Sequence, residues 1–86
     1  MLNKWKQFEL WFDSEIISKI QHDGKRANMI EIKTDLLDFL KEGLSPTTDN
    51  LEMFIASKGI VNVHNVQMKA RIYVNMLERF AREVKN

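Results

Sequence analysis

Cysteine is absent from this chain, proline occurs once and glycine three times. Without cysteine no disulfide staples the fold, and no thiolate is available to bind zinc or attack a substrate. That usage fits a reducing compartment, and the expected setting is cytoplasmic. Long apolar runs are also missing. Lys4, Lys6, Glu9, Asp13 and Glu15 punctuate the first segment, so neither a signal peptide nor a membrane span is expected. Nor does one charge dominate: 13 Lys and Arg face 12 Asp and Glu. Non-specific nucleic-acid binders usually carry a strong basic excess.

Catalytic patterns are as scarce. The two histidines, His22 and His64, stand far apart, and His22-Asp23 offers two ligands where zinc wants three or four. The chain has no nucleophile elbow, no glycine-rich phosphate loop and no zincin helix pair. The carboxylate pairs Glu9/Asp13 and Asp35/Asp38 fall on polar helix faces, where solvation leaves them ionised. Acid–base chemistry needs two such groups with separated pKa values. The expectation is a non-enzyme without metal or cofactor.

What is present is helical periodicity. Gly24, Gly43 and Gly59 each follow a periodic run, and Pro46 opens another. Glycine accepts the left-handed backbone that closes a helix, and proline is tolerated in a first turn. These residues divide the chain into Leu2–Asp23, Lys25–Glu42, Pro46–Lys58 and Asn62–Lys85. The pattern predicts an all-α fold, a compact four-helix single domain over residues 1–86 with a long C-terminal helix. At roughly 0.05–0.15 kcal/mol per residue its stability would be about 4–13 kcal/mol.

In the first segment Leu2, Trp5, Phe8, Phe12, Ile16 and Ile20 form one apolar stripe, which Leu10 and Ile17 widen. Trp11 falls on its other edge, as a lid over the core or an anchor for a partner. Glu15 and Lys19 form an i,i+4 pair. At 1.5 Å per residue this helix would be about 30 Å long. In the second segment Met29, Ile32, Leu36 and Phe39 keep helical spacing. The alternation over Met29–Thr34 also suits a short strand, but no pairing partner is evident and helix is preferred. The third segment starts at Ser45-Pro46 or at an Asp49/Glu52 capping pair, and Leu51, Phe54 and Ile55 point inward. In the fourth, Val63, Val66, Ala70, Tyr73, Leu77, Phe80 and Val84 make a heptad seam that Val74 and Ala81 broaden.

Two surfaces compete for a function. Met68, Ile72 and Met76 run i, i+4, i+8 beside the seam. With Trp11 and a rim including Arg71, Arg79 and Arg82, they suggest a contact patch for a protein partner or a homodimer. The competing surface begins with Phe54-Ile55-Ala56-Ser57-Lys58-Gly59-Ile60-Val61-Asn62, which resembles the short helix and glycine turn of a helix-turn-helix. That resemblance implies DNA contact through His64, Asn65, Gln67, Lys69 and Arg71, because Asn, Gln and Arg read base edges. Its apolar positions after the turn, Ile60, Val61, Val63 and Val66, stand one step off the motif's spacing. Residues 45–82 also look like the later helices of the core-binding domain of tyrosine recombinases, through Leu51-Glu52-Met53-Phe54-Ile55 and the Arg71–Phe80 spacing. The family's first-helix pattern has no counterpart here. The function expected is a non-catalytic regulator or inhibitor binding a protein, with a DNA-binding regulator as the alternative. Small charge-balanced domains of this kind also occur among phage proteins.

Overall fold

The computed structural model describes residues 3–59 and 62–84. Leu2, Ile60, Val61 and Lys85, which the sequence reading used, lie outside these residues. The elements are α1 (Lys4–Glu15), a single 3-10 turn (Ile17–Lys19), α2 (Asp23–Lys41), α3 (Thr48–Ser57) and α4 (Val63–Glu83). The fold is all-α, with no strand among the described residues. It forms two compact helix pairs divided between Glu42 and Gly43: α1 packs with α2, and α3 with α4.

In the N-terminal pair, Asn3 caps α1 by accepting from the Lys6 amide at 3.0 Å. The helix then buries Phe8, Trp11, Phe12 and, at its end, Ile16. Burial of each large side chain contributes about 1.5–3 kcal/mol. Trp11 is only 6% exposed, with its ring 5.8 Å from Phe8. It is a core residue, and an exposed anchor at that position is ruled out. Leu10 does not widen the stripe. It lies about 200° round the helix from Phe8 and is exposed.

The first helix is also shorter than its periodicity suggested, 12 residues, or about 18 Å. Ser14 and Ser18 turn their hydroxyls back to the Trp11 and Ser14 carbonyls, and Ile16-Ile17 is a β-branched pair. Both features weaken a helix. Gly24 does not close α1; it lies in the first turn of α2. His22 is the cap there, its Nδ1 accepting from the Lys25 amide at 3.3 Å. Asp23 follows in the first turn, where a carboxylate suits the helix dipole. The Glu15–Lys19 pair forms at 3.0 Å, although it bridges α1 and the 3-10 turn.

Helix α2 runs without interruption through Met29–Thr34. The Thr34 hydroxyl donates to the Ile30 carbonyl at 2.9 Å, a local bond a helix accommodates. Lys33 Nζ meets Asp13 at 2.9 Å and Lys41 Nζ lies 4.6 Å from the Trp5 ring. The two links tie opposite ends of α1 to positions about two turns apart on α2, the late end of α1 to the earlier one, so the helices run antiparallel. Gly43, at φ +75, takes the left-handed position after the Glu42 cap.

The C-terminal pair starts at neither predicted cap. Thr47 caps α3, its hydroxyl accepting from the Asn50 amide at 3.2 Å, while the Asn50 side chain donates to the Ser45 carbonyl at 2.9 Å. Leu51, Phe54 and Ile55 are buried as expected. Gly59, at φ +96, closes α3, and Asn62 caps α4 with its side chain accepting from the Asn65 amide at 3.1 Å. On α4 the seam residues Val66, Ala70, Tyr73, Leu77 and Phe80 are buried. The seam is one turn shorter than its sequence pattern at both ends. Val63 is 68% exposed, Val84 follows the last turn, and Ala81 is exposed.

Candidate functional site

Helix α4 spans 21 residues, about 32 Å, and its side chains sort into three strips. At about 100° per residue, Val66, Ala70, Tyr73, Leu77 and Phe80 fall within about 40° of one line. These are the buried ones. A second strip, between about 200° and 300° from Val66, carries Asn65, Met68, Lys69, Ile72, Met76, Arg79 and Glu83. The third, between about 80° and 180°, carries His64, Gln67, Arg71, Val74, Asn75, Glu78 and Arg82.

The second strip carries an apolar row, Met68, Ile72 and Met76, among polar neighbours, and its first two members are open. Met68 is 51% exposed and Ile72 45% exposed, and Met76 is half-buried. Asn65, Met68, Lys69 and Ile72 line a shallow hollow of about 310 Å³. Most other exposed large apolar residues, such as Leu10, Ile30 and Met53, do not belong to such a row. Isolated exposed residues are ordinary, whereas adjacent ones mark contact surface. Arg79 Nε pairs with Glu83 at 2.7 Å along the same helix, so its charge is met locally.

The third strip is polar. Thr48 and Glu52 from α3 join Gln67, Arg71, Val74 and Asn75 around an open groove of about 440 Å³. Thr48, Glu52, Val74 and Asn75 are not among the site residues the sequence suggests, Val74 being expected only to broaden the seam. Asn75 carried a signal, standing four residues beyond Arg71 on one helix face.

This geometry divides both predicted residue sets. Of the nucleic-acid set, His64, Gln67 and Arg71 share the polar strip, whereas Asn65 and Lys69 flank the apolar row. All five are exposed. In the partner set, Met68, Ile72, Met76 and Arg79 lie together. Arg82 sits on the polar strip with Arg71, so neither rims the row closely. Trp11 leaves the set because it is buried.

Nothing in the described residues gathers reactive groups. No cluster of three or more His, Asp, Glu or Cys that could hold a metal occurs among them, and no buried side-chain N or O there lacks a partner. Glu9, on α1, is held below its ordinary carboxylate value by the hydrogen bond from Lys6. Partial desolvation opposes this, and the charges of Lys6, Lys33 and Lys41 add to it. No helix of the described residues is long and apolar enough to cross a membrane.

No family model, no curated protein and no solved structure matches this chain. The likeness of residues 45–82 to recombinase core-binding helices therefore rests on the residues quoted for it alone.

Proposed function

We propose that this chain is a non-catalytic helical binding module, a regulator or inhibitor that works through a protein partner docked on the second strip of α4. One observation carries the reading. The same helix that buries a heptad seam leaves Met68 and Ile72 open beside it. Methionine adapts its shape to a partner, and burying a small apolar cluster within a polar rim is how compact interfaces gain affinity. The lack of cysteine agrees with work in the cytoplasm.

Substituting Ile72→Asp tests it. The variant should keep its far-UV circular dichroism and lose association, read by light scattering alone and with any candidate partner. A variant that stays folded and associates as the parent does would remove Ile72 from the interface.

DNA binding is the second reading, favoured by the exposure of His64, Gln67 and Arg71 in the first half of α4, after the Gly59 turn. Against it, Glu52 lines the same groove as Arg71, and a carboxylate there repels phosphate. Labelled duplex DNA at low salt separates the readings. An anisotropy rise that falls steeply with salt and weakens in Arg71→Ala would support DNA binding; no rise at micromolar protein would end it.

A further inference from the structure

Resting on the reading of the second α4 strip as a docking face, we infer that its occupant is a second copy of the same strip, packed antiparallel about a two-fold axis at Ile72. The first ground is the pattern. Met68, Ile72 and Met76 are spaced four and four, so the row reads the same from either end. A two-fold interface is isologous: each patch must fit itself. Reversed about Ile72, the row sets Ile72 against the partner's Ile72 and Met68 against the partner's Met76, so three apolar layers form from one surface.

The second ground is charge. A strongly acidic partner would need a cationic rim, and the strip does not present one. Its charges are Lys69 and the Arg79–Glu83 pair, which closes within the helix at 2.7 Å. Arg71 and Arg82 lie about 80–100° away from Ile72. An apolar row flanked by so little net charge suits another of its kind. The antiparallel arrangement also offsets the two Lys69 side chains by six residues, about 9 Å along the axis. With helix axes 8–10 Å apart, their separation is then beyond the screening length of roughly 8–10 Å. The residue of the second copy level with Lys69 is Asn75, and Met76, one residue further along that copy, has a flexible side chain that can cover the lysine stem. Antiparallel helices place opposite dipole ends together, whereas parallel ones place like ends together. A single helix face makes a small interface, so association should be weak and concentration-dependent.

The absence of native cysteine makes the geometry directly testable, since a single introduced cysteine has no competitor. Light scattering from micromolar to millimolar protein should show the apparent mass rising from 10.2 kDa towards twice that value. Under mild oxidation Ile72→Cys should form a covalent dimer. Met68→Cys and Met76→Cys should each stay monomeric alone, because their own copies sit about 12 Å apart along the axis, and should cross-link when mixed. Cross-linking of Met68→Cys with itself would overturn the antiparallel register. A wild-type mass fixed at 10.2 kDa up to millimolar protein would overturn self-association. In that case Ile72→Asp melting like the parent would leave the docking face standing for another protein. Collapse of Ile72→Asp on melting would remove the docking face itself, and the second copy with it.

Discussion

The two helix pairs differ in where charged side chains reach: Lys33 and Lys41 cross from α2 to α1, whereas Lys58 over the Phe54 ring and Arg79 with Glu83 stay on their own helices. In the N-terminal pair both tryptophans lie on α1, and the charged groups near them close inward: Lys33 meets Asp13, and Lys41 covers the Trp5 ring. Each link is small, of the order of 0.2–1 kcal/mol at a partly exposed site, and the two mark the antiparallel register of α1 on α2. The C-terminal pair buries a regular seam on α4, and its Arg79–Glu83 pair runs along that one helix. What is left over on α4 is an apolar row that its own helix pair leaves open. Exposed large apolar side chains occur in both pairs, Leu10 and Ile30 in the first and Met53, Met68 and Ile72 in the second, and among the described residues it is on α4 that two of them stand one turn apart on the same helix.

The largest effects should come from breaking the cores. Trp11→Ala should cost about 3–5 kcal/mol in urea unfolding, a large share of the total, because Trp11 packs against Phe8 and Phe12. A loss below about 1 kcal/mol would return Trp11 to the surface and erase the contrast between the pairs. Leu77→Ala on the buried seam should cost about 2–5 kcal/mol by the same measurement. A small loss there would mean that the seam and the open row have been assigned to the wrong faces.

The seam shows how far sequence alone reaches. Its middle was legible because a heptad pattern admits one buried line, and Leu51, Phe54 and Ile55 because they fall on one face of a short helix. Its ends were not, since periodicity does not say where a neighbour stops: Val63 keeps the spacing and is exposed. Gly43 and Gly59 were read correctly from the runs they follow. Gly24 was misread because glycine is also tolerated in a first turn, and His22 is not among the preferred caps. Trp11 stood on the stripe's edge, where the sequence leaves lid and anchor open, and its burial follows from neighbours that periodicity does not name. At the candidate site, the row was visible as i, i+4, i+8. Its separation from Arg71 and Arg82 follows only when angles are assigned to every position.

Smaller effects sharpen the comparison. Gly59→Ala should destabilise the C-terminal pair by about 1–2 kcal/mol, because φ +96 is a conformation that side chains rarely adopt. A neutral melt would mean that the α3–α4 turn relaxes without cost. Smallest of all, Glu9 gives the N-terminal pair a pH dependence. Its carboxyl is held below the ordinary value, so the unfolded chain binds its proton more readily. The resulting stability is present above that ordinary value and is lost as pH falls through the lower folded value. Thermal melts of Glu9→Gln between about pH 5 and pH 2 should therefore decline less with acid than those of the parent. Identical acid slopes would show that Lys6 does not hold the carboxylate in solution.

The claim that α4 has one closed and one open apolar line is tested most directly by melting Ile72→Asp beside Leu77→Asp. The two sites are five residues apart on one helix, and each receives the same carboxylate. Ile72→Asp should melt within a few degrees of the parent, a change below about 1 kcal/mol. Leu77→Asp should lose its folded baseline, because an unpaired charge buried at a site only 4% exposed costs several kcal/mol. Collapse of both variants would contradict the account and make Met68, Ile72 and Met76 part of the core.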